Sequence, residues 1–274
     1  MAEIHHFAHG AFNPVAAYLL AFIGSLLGLV CTTRARATAE RGRRARWLVL
    51  AAIAIGGAGV WLMHFMAMLG FSVPDSPLRY DPFLTMVSMA IAVVTVGAGL
   101  FIAGYGERRV LRVVAGGVVT GLGVVAMHYT GMLALRVYGR ISYDRDLVGA
   151  SVAVAVVAAT VALWFTVSVR SWGPVIAAAQ IMAVAVCGMH YTGMAASRVS
   201  LYETGLHRVA GVTPMQLLVP IVLLASAALI GMAFSGLKAM TEEEFARPPE
   251  PPSGGGRHAE TPFTVALRPG GDTL

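Results

Sequence analysis

Residues 62–68 read LMHFMAM, residues 126–132 read AMHYTGM and residues 188–194 read GMHYTGM. One short word, a histidine set among methionines, thus occurs three times in a single chain. Its histidines are His64, His128 and His190, separated by 64 and 62 residues. A word returning at a nearly constant interval marks a tandem structural unit, and the interval gives the size of that unit.

The chain around these words is built for lipid. Of its 274 residues 57% are hydrophobic and only 12% are charged, against about 25% charged in an ordinary soluble domain. A helix needs about 20 apolar residues to cross the hydrocarbon core. Seven stretches qualify: 14–33, 47–70, 83–105, 113–135, 147–169, 174–196 and 215–238. They are continuous rather than alternating, so they read as helices, which satisfy their own backbone hydrogen bonds in lipid. Runs such as AAIAIGGAG supply the small residues that let membrane helices approach closely. The N-terminus lacks the charged region and cleavage site of a signal peptide, so the first helix is expected to be retained.

Each period between histidines holds two of these helices. The expected fold is therefore an all-α membrane protein of seven transmembrane helices, built from three tandem two-helix repeats plus one extra helix. Residues 1–13 precede the bundle, 14–238 form it, and 239–274 follow it. This last segment is rich in proline, glycine and charge and is expected to be a disordered tail. It is too short for an enzymatic or DNA-binding output domain.

Charge placement orients the bundle. The gaps after helices one, three and five hold ten arginines: Arg34, Arg36, Arg41, Arg43, Arg44, Arg46, Arg108, Arg109, Arg112 and Arg170. The opposite gaps hold six: Arg79, Arg136, Arg140, Arg145, Arg198 and Arg208. Most of the acids between the helices, Asp75, Asp81, Asp144, Asp146 and Glu203, share that second side. By the positive-inside rule the N-terminus is expected outside and the C-terminus in the cytoplasm, in a multi-pass protein of the cell membrane. The net charge of +6 does not indicate nucleic acid, because no basic patch is interleaved with aromatics. Cys31 and Cys187 lie inside apolar runs and read as small buried residues rather than a disulfide.

The three words also share a depth. Each histidine falls 15–17 residues into its even-numbered helix, which at 1.5 Å per residue places all three within about 3 Å of one level, near the outer face. Within each word the histidine and the last methionine are four apart: His64 and Met68, His128 and Met132, His190 and Met194. Residues at i and i+4 share a helix face. Each even-numbered helix can thus offer an imidazole and a thioether one turn apart. Thioether sulfur selects Cu(I) and imidazole suits copper as well; haem ligation by His and Met is the second chemistry open to such a set. Zinc fits less well, since the spans hold no carboxylate. A purely structural reading also stands, with the histidines as interhelical hydrogen-bonding groups and the methionines as core filler. Recurrence favours function, because polar groups are costly inside a membrane. His5, His6 and His9 add a second histidine cluster on the same outer side.

The words WLMHFMAML, AMHYTGMLA and GMHYTGMAA, with the segments RYDP and SYDRD ahead of helices three and five, resemble the bacterial MHYT family of integral membrane sensors. The resemblance covers about residues 14–238. It implies seven helices, a copper site near the outer face and sensing of a diatomic gas (oxygen, carbon monoxide or nitric oxide) or of redox state. The ligands it implies are Met63, His64 and Met68; Met127, His128 and Met132; Met189, His190 and Met194. The first copy departs from the pattern, with Phe65 in place of tyrosine and Met66 and Ala67 in place of Thr-Gly.

A non-enzymatic sensor is the expected function, signalling to a separate cytoplasmic partner. A transporter or copper-handling protein using the same cluster is the alternative. A redox enzyme ranks below both, because no general acid or base lies near the words. A retinal protein is excluded: the lone lysine, Lys238, sits at the end of a helix without an acidic counter-ion.

Overall fold

The computed structural model describes residues 10–202 apart from 75 and 106–108, then 209–217 and scattered positions from 219 to 234. Within these, the apolar stretches are helices: α1 spans Phe12–Ala37, α2 Arg41–Met68, α3 Pro82–Gly104, α4 Arg109–Ala134, α5 Arg145–Ser168 and α6 Trp172–Ala195. Six helices among the described residues are long and apolar enough to cross a membrane. The described residues of the seventh stretch, 215–217 and scattered positions from 219 to 234, are helical. The rest of that stretch lies outside the described residues, as do His5, His6, His9 and the expected tail at 239–274.

One boundary differs from expectation. The second helix begins at Arg41 rather than at 47, so the arginine-rich gap shrinks to residues 38–40. Arginine and alanine are strong helix formers, and the long arginine stem carries its charge to water from within a helix. Hydropathy marks where lipid begins, not where hydrogen bonding stops.

The helices close a ring in chain order. Each packs on its sequence neighbours, and α1 also packs on α6. Tyr18 on α1 donates a hydrogen bond to Gln180 Oε1 on α6 across that closure. The middle of α2, Ile53–Leu62, is π-helical and carries Gly56, Gly57 and Gly59. There α1 crosses so closely that a Cβ on Gly24 would stand 2.6 Å from the Cα of Gly59, which only glycine avoids.

The two ends of the bundle are finished differently. At the arginine-rich end, Arg36 donates to the carbonyl of Val169 and Arg44 to that of Gly104. These carbonyls belong to the C-terminal turns of α5 and α3, which have no intrahelical donors of their own. Short antiparallel strands cover the other end. β1 (Arg79–Tyr80) pairs with β2 (Leu135–Arg136), and β3 (Gly139–Tyr143) pairs with β4 (Ser197–Leu201). Asp81 caps α3 by accepting from the backbone of Phe83 and Leu84 at 3.0 and 3.1 Å, and its second oxygen takes Arg136 at 2.6 Å. One repeat on, Asp144 caps α5 and takes Arg198 at 2.8 Å. The first helix pair has Ser72 where Arg136 and Arg198 stand, and its tie is instead Asn13 Nδ2 donating to the Met66 carbonyl at 3.0 Å.

The bond from Arg136, reinforced by the backbone donors of Leu84 and Phe83, holds the Asp81 carboxyl below the usual carboxylate range. A depressed folded-state pKa contributes stability above the unfolded value of about 3.9, and that contribution is lost as pH falls through the lower folded value. Thermal unfolding followed from pH 5 downward is therefore expected to show a loss of Tm below about pH 4 that Asp81→Asn diminishes. Parallel wild-type and variant curves would refute this assignment.

Candidate metal centre

The three words end their helices just under the strand-covered end. His64 lies four residues before the end of α2, His128 six before the end of α4 and His190 five before the end of α6. At 1.5 Å per residue each imidazole starts about 6–9 Å below the strands. Equal depth on alternate members of a closed ring turns the three side chains toward one another. They are 0%, 0% and 1% exposed.

The rings meet at their Nδ1 atoms. His64 Nδ1 stands 3.0 Å from His190 Nδ1 and 3.2 Å from His128 Nδ1. Ring centroids are 5.0, 5.0 and 5.2 Å apart, and the ring planes lie at 79°, 83° and 84° to one another. The result is a nearly threefold propeller of imidazoles on α2, α4 and α6. Among the described residues it is the one group of three metal-ligating side chains of the His, Cys, Asp and Glu type.

Protein hydrogen bonding alone closes this cluster poorly. Taken as a neutral ring, each imidazole offers one N–H and one lone pair. His64 Nδ1 touches two other Nδ1 atoms and must serve both contacts with a single proton or a single lone pair. The outer nitrogens offer no relief, since His64 Nε2 and His128 Nε2 are buried without a hydrogen-bond partner. A cation facing three lone pairs removes the conflict. Nitrogens bound to one ion at ~2.0–2.1 Å stand about 3.3–3.6 Å apart, within a few tenths of an ångström of the contacts seen. The donor set therefore fits a metal ion.

What seats the rings is a glycine of the neighbouring word. A Cβ at Gly131 would collide with the His64 ring, and one at Gly193 would collide with the His128 ring. The histidine of one copy thus lies over the glycine three residues past the histidine of the next. The position matters within the word: Gly188, in the same third copy, has open space around it, and the second copy carries Ala126 there. In the first copy Ala67 occupies the seat position, buried in a cluster with Met63 and Ala183. Sequence reasoning missed Gly131 and Gly193 as site residues, although their fixed place beside a variable first letter was the available signal.

The six methionines are all buried. Met63 lies in the small cluster with Ala17, Ala21, Ala67 and Ala183, and the other five belong to the main core. The observed convergence is of imidazoles, with the methionines in the surrounding apolar shell. The tyrosine letter has a packing role. Tyr129 stands edge-on to His128 at 4.9 Å and its hydroxyl shares a 3.0 Å hydrogen bond with Ser151 Oγ on α5. In the first copy Phe65 lacks a hydroxyl, and Trp61, one turn earlier, supplies the link: its Nε1 donates to Ser88 Oγ at 2.9 Å. Ser88 and Ser151 are 63 residues apart, one repeat. The departure noted in the first word is thus compensated from within the same helix.

Three stretches, 57–116, 121–179 and 184–249, match the family described as the bacterial signalling protein N terminal repeat, MHYT. Together they cover well over half of the sequence. The chain belongs to the MHYT family. The MHYT unit is offset from the helix pairs described above: it opens in an even-numbered helix, runs through the histidine word and takes in the next odd-numbered helix. In that framing α1 is the additional helix and the seventh stretch completes the third unit.

The relatives are signalling proteins. The bifunctional diguanylate cyclase/cyclic di-GMP phosphodiesterase MucR of Pseudomonas aeruginosa is 41% identical over 172 residues, 61% of this chain and 25% of MucR. The cyclic di-GMP phosphodiesterase NbdA of the same organism is 32% identical over 186 residues, 66% of this chain and 23% of NbdA. The signalling protein YkoW of Bacillus subtilis is 29% identical over 174 residues, 59% of this chain and 21% of YkoW. The matched stretch is thus a quarter or less of each of these proteins. No solved structure matches this chain significantly. MHYT membership, six described helices long and apolar enough to cross a bilayer, and signalling relatives make this a multi-pass membrane protein of a signalling family.

Proposed function

We propose that this MHYT protein is a sensor in the cell membrane whose input site is a copper centre held by His64, His128 and His190. The observation that carries the reading is the convergence of three buried imidazoles, with the Nδ1 atoms of His190 and His128 at 3.0 and 3.2 Å from that of His64. Thioethers from Met68, Met132 and Met194, with Met63, Met127 and Met189, favour copper over zinc or haem. Copper held there supplies affinity for diatomic gases and a one-electron redox change. The chain's own residues bring three helices, one from each repeat, to a single point. Any change in how the imidazoles are held alters the packing of α2, α4 and α6 together, and their far ends carry it to the arginine-rich face. Charge supports placing that face in the cytoplasm. Two of the arginines at the strand end are paired with Asp81 and Asp144, which deepens the asymmetry beyond a bare count. A separate protein or domain reads the change, and this chain does no catalysis itself.

Transport of copper through the same cluster is the competing reading. Protein loaded with copper is expected to show an infrared C–O stretch under carbon monoxide that is absent from a variant with all three histidines replaced. Sealed vesicles should take up no copper beyond the protein-free rate. Histidine-dependent uptake, with no carbon monoxide band, would overturn the sensor in favour of transport.

A further inference from the structure

Below the imidazoles, on the axis of the ring, lies a cavity of about 60 Å³. Its lining comes from all six helices and includes Val60, Val124, Ala155 and Met189. Met189 on its wall is the residue before His190, which puts the cavity next to the imidazole cluster. Ile55 and Val60 come from the π-helical part of α2, where the wider turn marks a departure of the kind often found at functional sites. Only Ser25 and Thr120 bring a side-chain hydroxyl to the wall. A buried water needs two to four polar partners, and apolar cavities without them stay dry and accept apolar guests.

The cavity also has a weak wall. A second, open groove on the bundle surface runs between α5 and α6 and is lined by alanines, valines, Phe165, Ile181 and Met182. Four residues, Ala158, Ala162, Met182 and Ala185, line both spaces. Three of these are alanines, so the partition is one small side chain thick. The groove's outer rim, Val154, Val157, Val161 and Ile181, is exposed on a surface that faces hydrocarbon. An uncharged gas is more soluble in hydrocarbon than in water, since it gains by leaving the aqueous phase. An ion has no path here, because nothing along the partition could replace its hydration.

We propose that the gap between α5 and α6 admits a small uncharged molecule of two or three atoms from the bilayer into the cavity beneath His190. The site holds the guest against Met189 and delivers it to the metal from the membrane side. This rests on the sensor reading for the identity of the guest, though the cavity itself does not depend on a metal.

Xenon is the probe that separates the two. Crystals of metal-free protein pressurised with xenon are expected to show a peak between Val60, Val124 and Met189, and Ala158→Leu and Ala185→Leu are expected to abolish it. In copper-loaded protein the same substitutions should slow carbon monoxide binding at least about tenfold, a barrier of ~1.4 kcal/mol, with copper content unchanged. Retained copper certifies that the variants fold; should either fail to retain it, Ala185→Val is the milder obstruction and is expected to give a smaller slowing. No xenon in the wild-type cavity, or an unchanged rate in both leucine variants, would overturn the proposal and leave the copper centre standing. Absence of copper from wild-type protein with xenon still in place would refute the sensor reading and leave the cavity.

Discussion

Replacing His64, His128 and His190 together by alanine is expected to take bound copper from near one ion per chain to background. The reason is geometric. Three imidazoles from three repeats supply the convergent nitrogens, and no carboxylate or thiolate joins them among the described residues. Stability should follow the metal. A ligand at a hundred times its Kd stabilises the folded state by about 2.7 kcal/mol, which for a domain of this size is a Tm shift of roughly 5–10 °C. A chelator is expected to lower the wild-type Tm by that amount and to leave the triple variant where it is. Exchanging Met68, Met132 and Met194 for leucine keeps the volume of the core nearly constant. That variant should still bind copper but lose its preference for Cu(I) over Cu(II). Equal, negligible copper in wild type and triple variant would end the metal reading and return the histidines to the role of interhelical glue.

How much of this could be read from the residues is uneven. The six described helices and the meeting of the histidines were legible, because lipid demands long apolar runs and because 64- and 62-residue spacings return a side chain to the same depth. The start of α2 was not, since Arg41, Arg43, Arg44 and Arg46 look like a loop to a hydropathy window and like good helix to the backbone. The strands were hidden as well. β1 and β2 have two residues each, β3 and β4 five, and each pairs across more than fifty residues of chain. What marked them was the second half of the repeated word, LALR after Met132 and AASR after Met194, whose arginines find Asp81 and Asp144. The π-helical stretch Ile53–Leu62 has the same glycine-rich composition as any close-packed membrane helix. The methionine spacing did not show that the histidine rings would meet one another while the methionines are buried in the apolar clusters.

The seat beneath each ring leads to the second large effect. Gly131→Ala and Gly193→Ala are each expected to lower Tm by roughly 3–10 °C, the result of overpacking by about 1–3 kcal/mol. The added methyl has no room: carbon atoms of the His64 ring would lie 3.1 and 3.3 Å from a Cβ at Gly131, and those of the His128 ring 3.0 and 3.2 Å from one at Gly193, with Nε2 closer still. Rings pushed off their seats no longer meet at Nδ1, so copper affinity should fall about 10–100-fold, as when an outer-shell support of a metal ligand is removed. Two controls make the test specific to the ring. Gly188→Ala, five residues before Gly193, adds the same methyl where nothing lies within 4 Å, and it should leave both Tm and copper affinity unchanged. In a His64→Ala background the methyl at Gly131 meets empty space, so its cost should vanish there while Gly193→Ala keeps its own. Additive losses in that double-mutant cycle would show that the glycine serves helix packing at large. A coupled result would show that each repeat holds the histidine of the one before it, which is why the word carries its glycine three residues after the histidine in both full copies.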